Sequence, residues 1–379
     1  MTTLIAPVSY RVIYLDFDGN IISDIPFFFK LEFTKQESDR GYLYLDIPNV
    51  YSKDYFKIDG RIEVYRKIGY GVEYLELDTQ WLIRKVTFKT DESGKSVIHI
   101  LAYDLNDILF RRIIAYASGT SYVKKTGACD NVIFEILREN FGSLAVDTAR
   151  DLSSYLVIPE NFTTSLCPSI TTAFAWQEVF PLIKEICDYS ISSGVYLTFD
   201  VVKLDRKRFG FYTYAICRGI NRGTNSNKSL YFSLDRGNLS YASLSRDHSE
   251  ERNFIYAGGQ GEEDSRIIKT YANSSAISLS PYNRYEEFVD ATSDPSPDYV
   301  QSQAQSNEMK SRAKIVVNSH IQQVQDCLYG LHYFFGDIVV IEHGGYTVDT
   351  HLDTVHIICS DSGSEEVTIY GRNMEDTDY

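Results

Sequence analysis

The first hundred residues repeat an apolar–polar alternation of period two, cut at short intervals by turn residues, and this most narrows what the chain can fold into. Tyr10, Val12 and Tyr14 alternate around Arg11. Ile62 and Val64 alternate with Glu63 and Tyr65, while Leu82, Val86 and Phe88 share a face with Arg84, opposite Lys85 and Thr87. Asp18-Gly19, Asp59-Gly60 and Asp91-Glu92-Ser93-Gly94 supply the residues that reverse a chain between strands. Strands of this pattern bury one face each, so they must pair into a sheet. An excess of 29 Tyr and 21 Phe fits the same pleated surface.

The period then lengthens. Leu105, Ile108, Leu109 and Ile113 recur at helical spacing behind Asp104, which is placed to cap a helix. Asp130 opens a second helix burying Val132, Ile133, Ile136 and Leu137 and stopping before Gly142. Trp176, Val179, Phe180, Ile183 and Cys187 suggest a third, with Pro181 fixing or kinking its start. Strands return over 195–202 and 209–217. Residues 219–229 form a Gly/Asn/Ser loop, and strands resume around Tyr231, Tyr241 and Phe254. Asp294, Pro295 and Pro297 mark the entry to a helix so polar that its exposed face is wide or it docks on another chain. Residues 333–372 are strand-rich. The reading is a β-rich α+β chain: a first β-barrel domain over 1–103, an α/β insertion over 104–217, and a second β-barrel domain over 218–379 with a helical segment near 294–320. An echo between Val86–Ile100 and Val355–Ile369, each a strand, an acidic Ser-Gly turn and a strand, relates the two barrels.

Charge excludes several functions. With 52 acidic against 37 basic side chains the net charge is −15, and clustered Lys and Arg for gripping phosphates are missing. No window approaches the roughly 18 apolar residues of a membrane-spanning helix, and the amino terminus has no secretion-signal pattern. Six dispersed cysteines without a CxxC pair read as free, buried thiols.

No constellation makes an active site. Tyr14-Leu15-Asp16-Phe17-Asp18-Gly19-Asn20 resembles the first motif of haloacid-dehalogenase-type phosphatases, in which one Asp attacks phosphorus and the next moves the proton. That chemistry needs a parallel strand leading into a helix, whereas Ile21–Phe33 reads as another strand, so a hairpin turn is favoured. The same stretch fails as a calcium loop, with Ile21 and Phe27 where Gly and Glu belong. Five histidines (His320, His332, His343, His351, His356) crowd the carboxyl-terminal region without metal-ligand spacing and read as solvent-facing strand residues. Ala257-Gly258-Gly259-Gln260-Gly261 lacks the Lys of a phosphate loop and reads as a bulge or tight turn. His343-Gly344-Gly345 has no nucleophile elbow to serve. No cofactor is implied.

Three segments in order carry a resemblance: Asn253-Phe-Ile-Tyr-Ala-Gly258-Gly259-Gln-Gly261 running on to Arg266, Arg284-Tyr-Glu-Glu287-Phe-Val-Asp290, and Tyr329-Gly-Leu-His-Tyr-Phe-Phe-Gly336-Asp337. Together with Ile62–Arg66 and the Trp81 strand, they resemble the tail-tip hub proteins of siphophages. Those are similar to the amino-terminal part of tail-associated lysins and to the myophage baseplate hub. The resemblance implies a structural, non-enzymatic virion component at the tail tip, with Gly258, Gly259, Gly261, Arg284, Glu287, Asp290, Gly336 and Asp337 as structural signature residues. It implies a homotrimer whose six barrels let a threefold tip meet the sixfold distal tail protein ring and tail tube. The end of the tape-measure protein and other tip or fibre proteins would be further neighbours. DNA would pass through a channel, closed before infection, without specific binding, and an acidic wall would suit that passage. Because Tyr370–Tyr379 follows the last barrel strand closely, the lysin activity of longer relatives does not carry over. The competing readings are a phosphohydrolase using Asp16 and Asp18 and a receptor- or glycan-binding tip protein.

Overall fold

A computed structural model of the chain describes residues 7–90, 94, 96–115, 123–174, 176–360 and 363–373. The acidic turn at 91–93, its counterpart at 361–362 and the terminal 374–379 lie outside the described residues.

The two β regions share one twelve-stranded sheet. Val8–Leu15 pairs with Ile21–Ile25 and with Arg61–Ile68. The path continues through Trp81–Thr90, Ser96–Tyr103, Tyr42–Pro48 and Lys30–Gln36. Lys30–Gln36 then pairs antiparallel with Tyr346–Ser360 from the far end of the chain, Phe33 opposite Ile357. The sheet curls. Tyr10 and Phe33 lie on strands five steps apart in hydrogen-bond order, yet their rings pack 6.4 Å apart. One apolar core therefore joins Val12, Leu31, Phe33 and Val64 to Val339, Val355, Ile357 and Ile369. The echoed segments are both hairpins on this sheet, Trp81–Thr90 with Ser96–Tyr103 and Tyr346–Ser360 with Glu365–Asn373.

Local departures from the simple pattern have identifiable causes. Residues 21–33 split into two strands around Pro26, which cannot donate to a ladder. A register shift between Ile83 and Lys85 turns Leu82 toward the insertion's core and Ile83 toward the sheet's core, so the expected common face of Leu82, Arg84, Val86 and Phe88 does not hold. Residues Leu105–Arg111 are a 3₁₀ helix rather than an α-helix, and Asp104 caps nothing, because its carboxylate is engaged by Lys35.

Among the described residues the α-helices are α1 (Cys129–Phe141), α2 (Val179–Ser192), α3 (Ser274–Ser278) and α4 (Pro297–Lys310). α1 buries Val132, Ile133, Ile136 and Leu137 and ends at Gly142. Asp130 lies in its first turn rather than at its cap. α2 starts two residues ahead of Pro181, where a missing N–H costs no helical bond. Both pack with the strands Leu197–Lys203 and Phe209–Ala215 into a second core, which also takes in Leu82 and Leu105.

Buried charges hold the junction between this unit and the large sheet. Lys35, fully buried, donates to Asp200 at 2.8 Å and Asp104 at 3.1 Å, and Arg218 lies 3.3 Å from the second Asp200 oxygen. His351 is fully buried beside Tyr196 (2.7 Å) and Glu37 (3.2 Å). It is thus not the solvent-facing residue its strand position suggests. The insertion covers that face of the sheet.

Candidate interaction face

The ribbon Leu239–Asp247 paired with Lys314–Ile321 leads out to a smaller unit, in which Phe254–Gly258 is the central strand. It pairs antiparallel with Ile268–Ala272 and parallel with Glu286–Asp290. Alternation decides its two faces. Ile255 and Ala257 point inward against Tyr299, Val300 and Ala304 of α4, and Ala173 of the insertion joins this core. The polarity of α4 is also accounted for within the chain: Glu308 is buried and takes hydrogen bonds from Asn273 and Arg312, while Lys310 reaches Glu185 on α2.

Three of the signature glycines make this unit possible. A Cβ on Gly259 would stand 2.7 Å from Val300 Cγ2, so only glycine lets α4 approach the strand end. Gly261 has φ of +112°, with a Cβ site 2.5 Å from the Ser265 carbonyl oxygen. On the opposite face a Cβ on Gly258 would meet the Phe288 ring at 2.5 Å, so Phe288 lies across the bare backbone.

That outer face is aromatic and open to solvent. Phe254 and Tyr256 pack at 4.9 Å, Phe288 is 54% exposed, and Ile268 is 48% exposed on the neighbouring strand. Two guanidinium groups lie over it: Arg284 3.8 Å from the Phe254 ring centre, and Arg266 5.2 Å from that of Phe288. Arg284 also donates to Glu286 at 2.6 Å, which raises its pKa, and Arg266 lies 3.6 Å from Asp290. Glu287 is exposed at the strand edge. Asn253, buried, ties the first two motifs together: its Oδ1 accepts from the Tyr285 N–H and its Nδ2 donates to the Asn283 carbonyl.

Six of the eight signature residues therefore meet on one small unit. Gly336 and Asp337 do not join them. Buried Asp337 accepts from the N–H groups of Ile220 (2.6 Å) and Phe334 (3.0 Å) and from Arg222 (3.0 Å). Gly336, at φ +87°, takes the Gly219 N–H on its carbonyl. Together they knot the loop after the insertion onto the strand Ile338–His343. The aromatic face itself was readable only as period-two alternation inside the motifs. That alternation does not say which face is covered.

The tempting chemical motifs resolve into structure. Asp16–Asn20 is the turn of an antiparallel hairpin: Asp16 accepts from the N–H groups of Asp18 and Asn20 and from the Asn20 side chain, which lowers its pKa. The parallel strand and following helix of the phosphatase reading are not there. His343-Gly344-Gly345 is likewise a hairpin turn, and the Gly258–Gly261 run closes one strand into the next. Among the described residues no group of His, Cys, Asp and Glu could hold a metal ion. All six cysteines are free, five of them buried.

The fold is that of phage tail proteins. It is similar to prophage tail protein gp18 from Listeria monocytogenes EGD-e, at 11% identity and a TM-score of 0.53 over 97% of this chain and 95% of that one. It is also similar to the prophage MuSo2 43 kDa tail protein from Shewanella oneidensis (12%, TM-score 0.53, 96% and 98% covered). A third likeness is a tail protein from Neisseria meningitidis MC58 (10%, TM-score 0.53, 96% of each). No curated protein matches the sequence. The siphovirus ReqiPepy6 Gp37-like protein family matches over residues 13–370, and the chain belongs to that family.

Proposed function

We propose that this phage tail protein is the structural hub of the tail tip, self-associating as a trimer beneath the sixfold distal tail ring. In this reading it also meets the end of the tape-measure protein and further tip or fibre proteins, and it closes the DNA channel before infection, with no enzymatic step of its own. The observation that carries the reading is the aromatic face of Phe254, Tyr256, Phe288 and Ile268. A rigid sheet there leaves apolar area in water, which a building block of an assembly would bury. Likeness to tail proteins over nearly the whole chain supports the same reading.

The test is sedimentation of the purified chain alone and with the distal tail protein. Three copies per particle and co-sedimentation with the ring are expected, and Phe288→Ser should abolish assembly while leaving the melting temperature within a few degrees. A chain that stays monomeric at all concentrations and is absent from isolated tails would refute the hub. Tyr282 and Tyr285, 89% and 50% exposed beside the same face, favour a second reading, receptor or glycan binding. Glycan capture lost in their Ala variants, by a chain not incorporated into tails, would select it.

A further inference from the structure

A cavity of 390 Å³ opens where the 16–20 hairpin turn, the segment 152–156 and the strand start at Phe209 meet. Its floor is apolar and buried: Leu82, Ile108, Leu156 and Phe209. Its walls are fastened to each other rather than collapsed onto it. Arg61, 2% exposed, donates to the carbonyls of Phe17, Arg206 and Lys207, and Tyr155 donates to Asp18 at 3.0 Å. Gly19 sits so close to the Arg206 carbonyl that a Cβ would lie 1.9 Å from its oxygen. The acidic motif that carries no phosphatase thus becomes a strut of this wall.

The charges around the cavity are unbalanced in a direction opposite to the rest of the molecule. Three arginines, Arg61, Arg111 and Arg112, line it against one carboxylate, Asp59, which Arg84 and Arg111 already share at 3.0 and 2.9 Å; outside the lining Arg111 also pairs with Asp107 at 2.7 Å. Arg112 donates to the carbonyls of Asn140 and Arg150. Among the described residues neither Arg112 nor Arg61 has a carboxylate at ion-pair distance, and the pKa of each is lowered, chiefly by burial. Buried cations are ordinarily paired with anions, yet in a chain of net charge −15 buried Arg61 and half-buried Arg112 are left with dipoles and the rings of Phe209 and Phe141. Pocket size, an apolar floor and a few convergent charges together are the makings of a ligand site.

We propose that this cavity receives an acidic segment of a neighbouring protein, one aromatic or branched aliphatic side chain entering the floor while a flanking carboxylate meets Arg112 and competes with Asp59 for Arg111. The half-open mouth, where Phe17 is 58% exposed, admits a side chain on a backbone that stays outside. Charge complementarity selects an acidic partner over a basic one. The site is separate from the aromatic face and holds whether or not the chain forms the hub.

The test uses the full chain and 1-anilinonaphthalene-8-sulfonate, an aromatic body bearing one anion. Saturable fluorescence enhancement is expected, at least tenfold weaker in Arg111→Gln and in Leu152→Phe, which narrows the cavity from its lining. Both variants should keep the wild-type circular dichroism and melting curve. A neutral N-phenylnaphthylamine should bind at least tenfold more weakly than the sulfonate. A short blocked peptide with Phe between two Asp should displace the probe, whereas its Lys-flanked counterpart should not. Probe binding that is absent, or unchanged in both variants, overturns the site. Failure of the acidic peptide to displace a bound probe overturns the protein segment as its occupant.

Discussion

Replacing Lys35 with Met should destabilise the chain strongly at pH 8 and much less at pH 5. The ammonium is shared by two carboxylates inside the fold, so its loss affects them unequally. Asp200 keeps Arg218 at 3.3 Å, while Asp104 loses the one cation it pairs with among the described residues. Removing one member of a buried ionic cluster costs about 3–5 kcal/mol, because a charge is left without compensation. The route of relief is protonation. Burial already raises the Asp104 pKa to about 6, since one ammonium between two aspartates does not compensate both.

The sign follows from that shift. A carboxyl with a folded pKa of about 6, above its unfolded value, binds its proton more tightly in the folded state. Its contribution is fully present below about pH 4 and is lost as pH rises through about 6, by about 3 kcal/mol in all. Lys35 is raised by its two aspartates, and its contribution disappears only above its ordinary range, outside the window of interest. In Lys35→Met the Asp104 carboxyl should rise further and stay neutral at pH 5, so the penalty shrinks there. Denaturant titration followed by the fluorescence of Trp81, buried against Phe33, measures both. Adding Asp104→Asn should recover most of the loss at pH 8. A penalty under about 1 kcal/mol at pH 8, or one of equal size at both pH values, would refute the account of Asp104 as a carboxylate dependent on Lys35.

Three further outcomes are expected. Asp16→Ala should cost about 1–2 kcal/mol through the lost turn bonds and leave p-nitrophenyl phosphate untouched, as in the wild type; hydrolysis that vanishes in Asp16→Asn would restore the phosphatase reading. Gly259→Val should push α4 off the small sheet at a cost of about 1–3 kcal/mol, seen as faster hydrogen exchange over 297–310 with the large sheet unchanged. Native thiol titration at pH 8 should find Cys217 reacting first, because burial pushes the thiols of Cys129 and Cys187 far up; all six should react in denaturant.

What was legible in the sequence was local. Period-two alternation placed the strands. Gly142 ended α1, Pro181 fixed the start of α2, and Asp294, Pro295 and Pro297 marked the entry to α4, because these signals act within one turn of the chain. What was not legible depends on partners far away. Nothing in Lys30–Gln36 says that its neighbour is Tyr346–Ser360, and nothing beside His351 says that an inserted unit will bury it. Asp104 reads as a helix cap until Lys35 claims its carboxylate. Asn106, buried, then bonds the Asp39 carbonyl and the Val201 N–H, and these distant ties accompany a tighter helix than the apolar spacing predicts. The glycines of the interaction face were visible as a motif, but the bare strip that Phe288 crosses exists only once two strands pair in register.

The buried ions share a logic with the sheet's connectivity. Closing the large sheet requires strands from both ends of the chain to meet with a whole unit between them, a join that apolar matching alone specifies weakly because β-branched faces are interchangeable. At that join the chain places groups that accept only one register. Arg66, 2% exposed on an early strand, forks onto Glu365 of the last one at 2.9 and 2.7 Å and donates to the Tyr329 carbonyl. Lys35 does the same between the sheet and the insertion. Such clusters add little net stability over apolar residues of the same size, but a one-residue slip would strand a buried charge at a cost of several kcal/mol. The position of these charges at the seams between sequence-distant parts, rather than within either core, fits a role in selecting the pairing: an Arg66→Met/Glu365→Leu/Glu76→Gln triple variant, which also neutralises the buried carboxylate that Arg66 compensates, should keep its stability within about 2 kcal/mol yet refold more slowly and with a larger misfolded fraction. Refolding at the wild-type rate and yield would remove register selection as the reason for the Arg66–Glu365 pair.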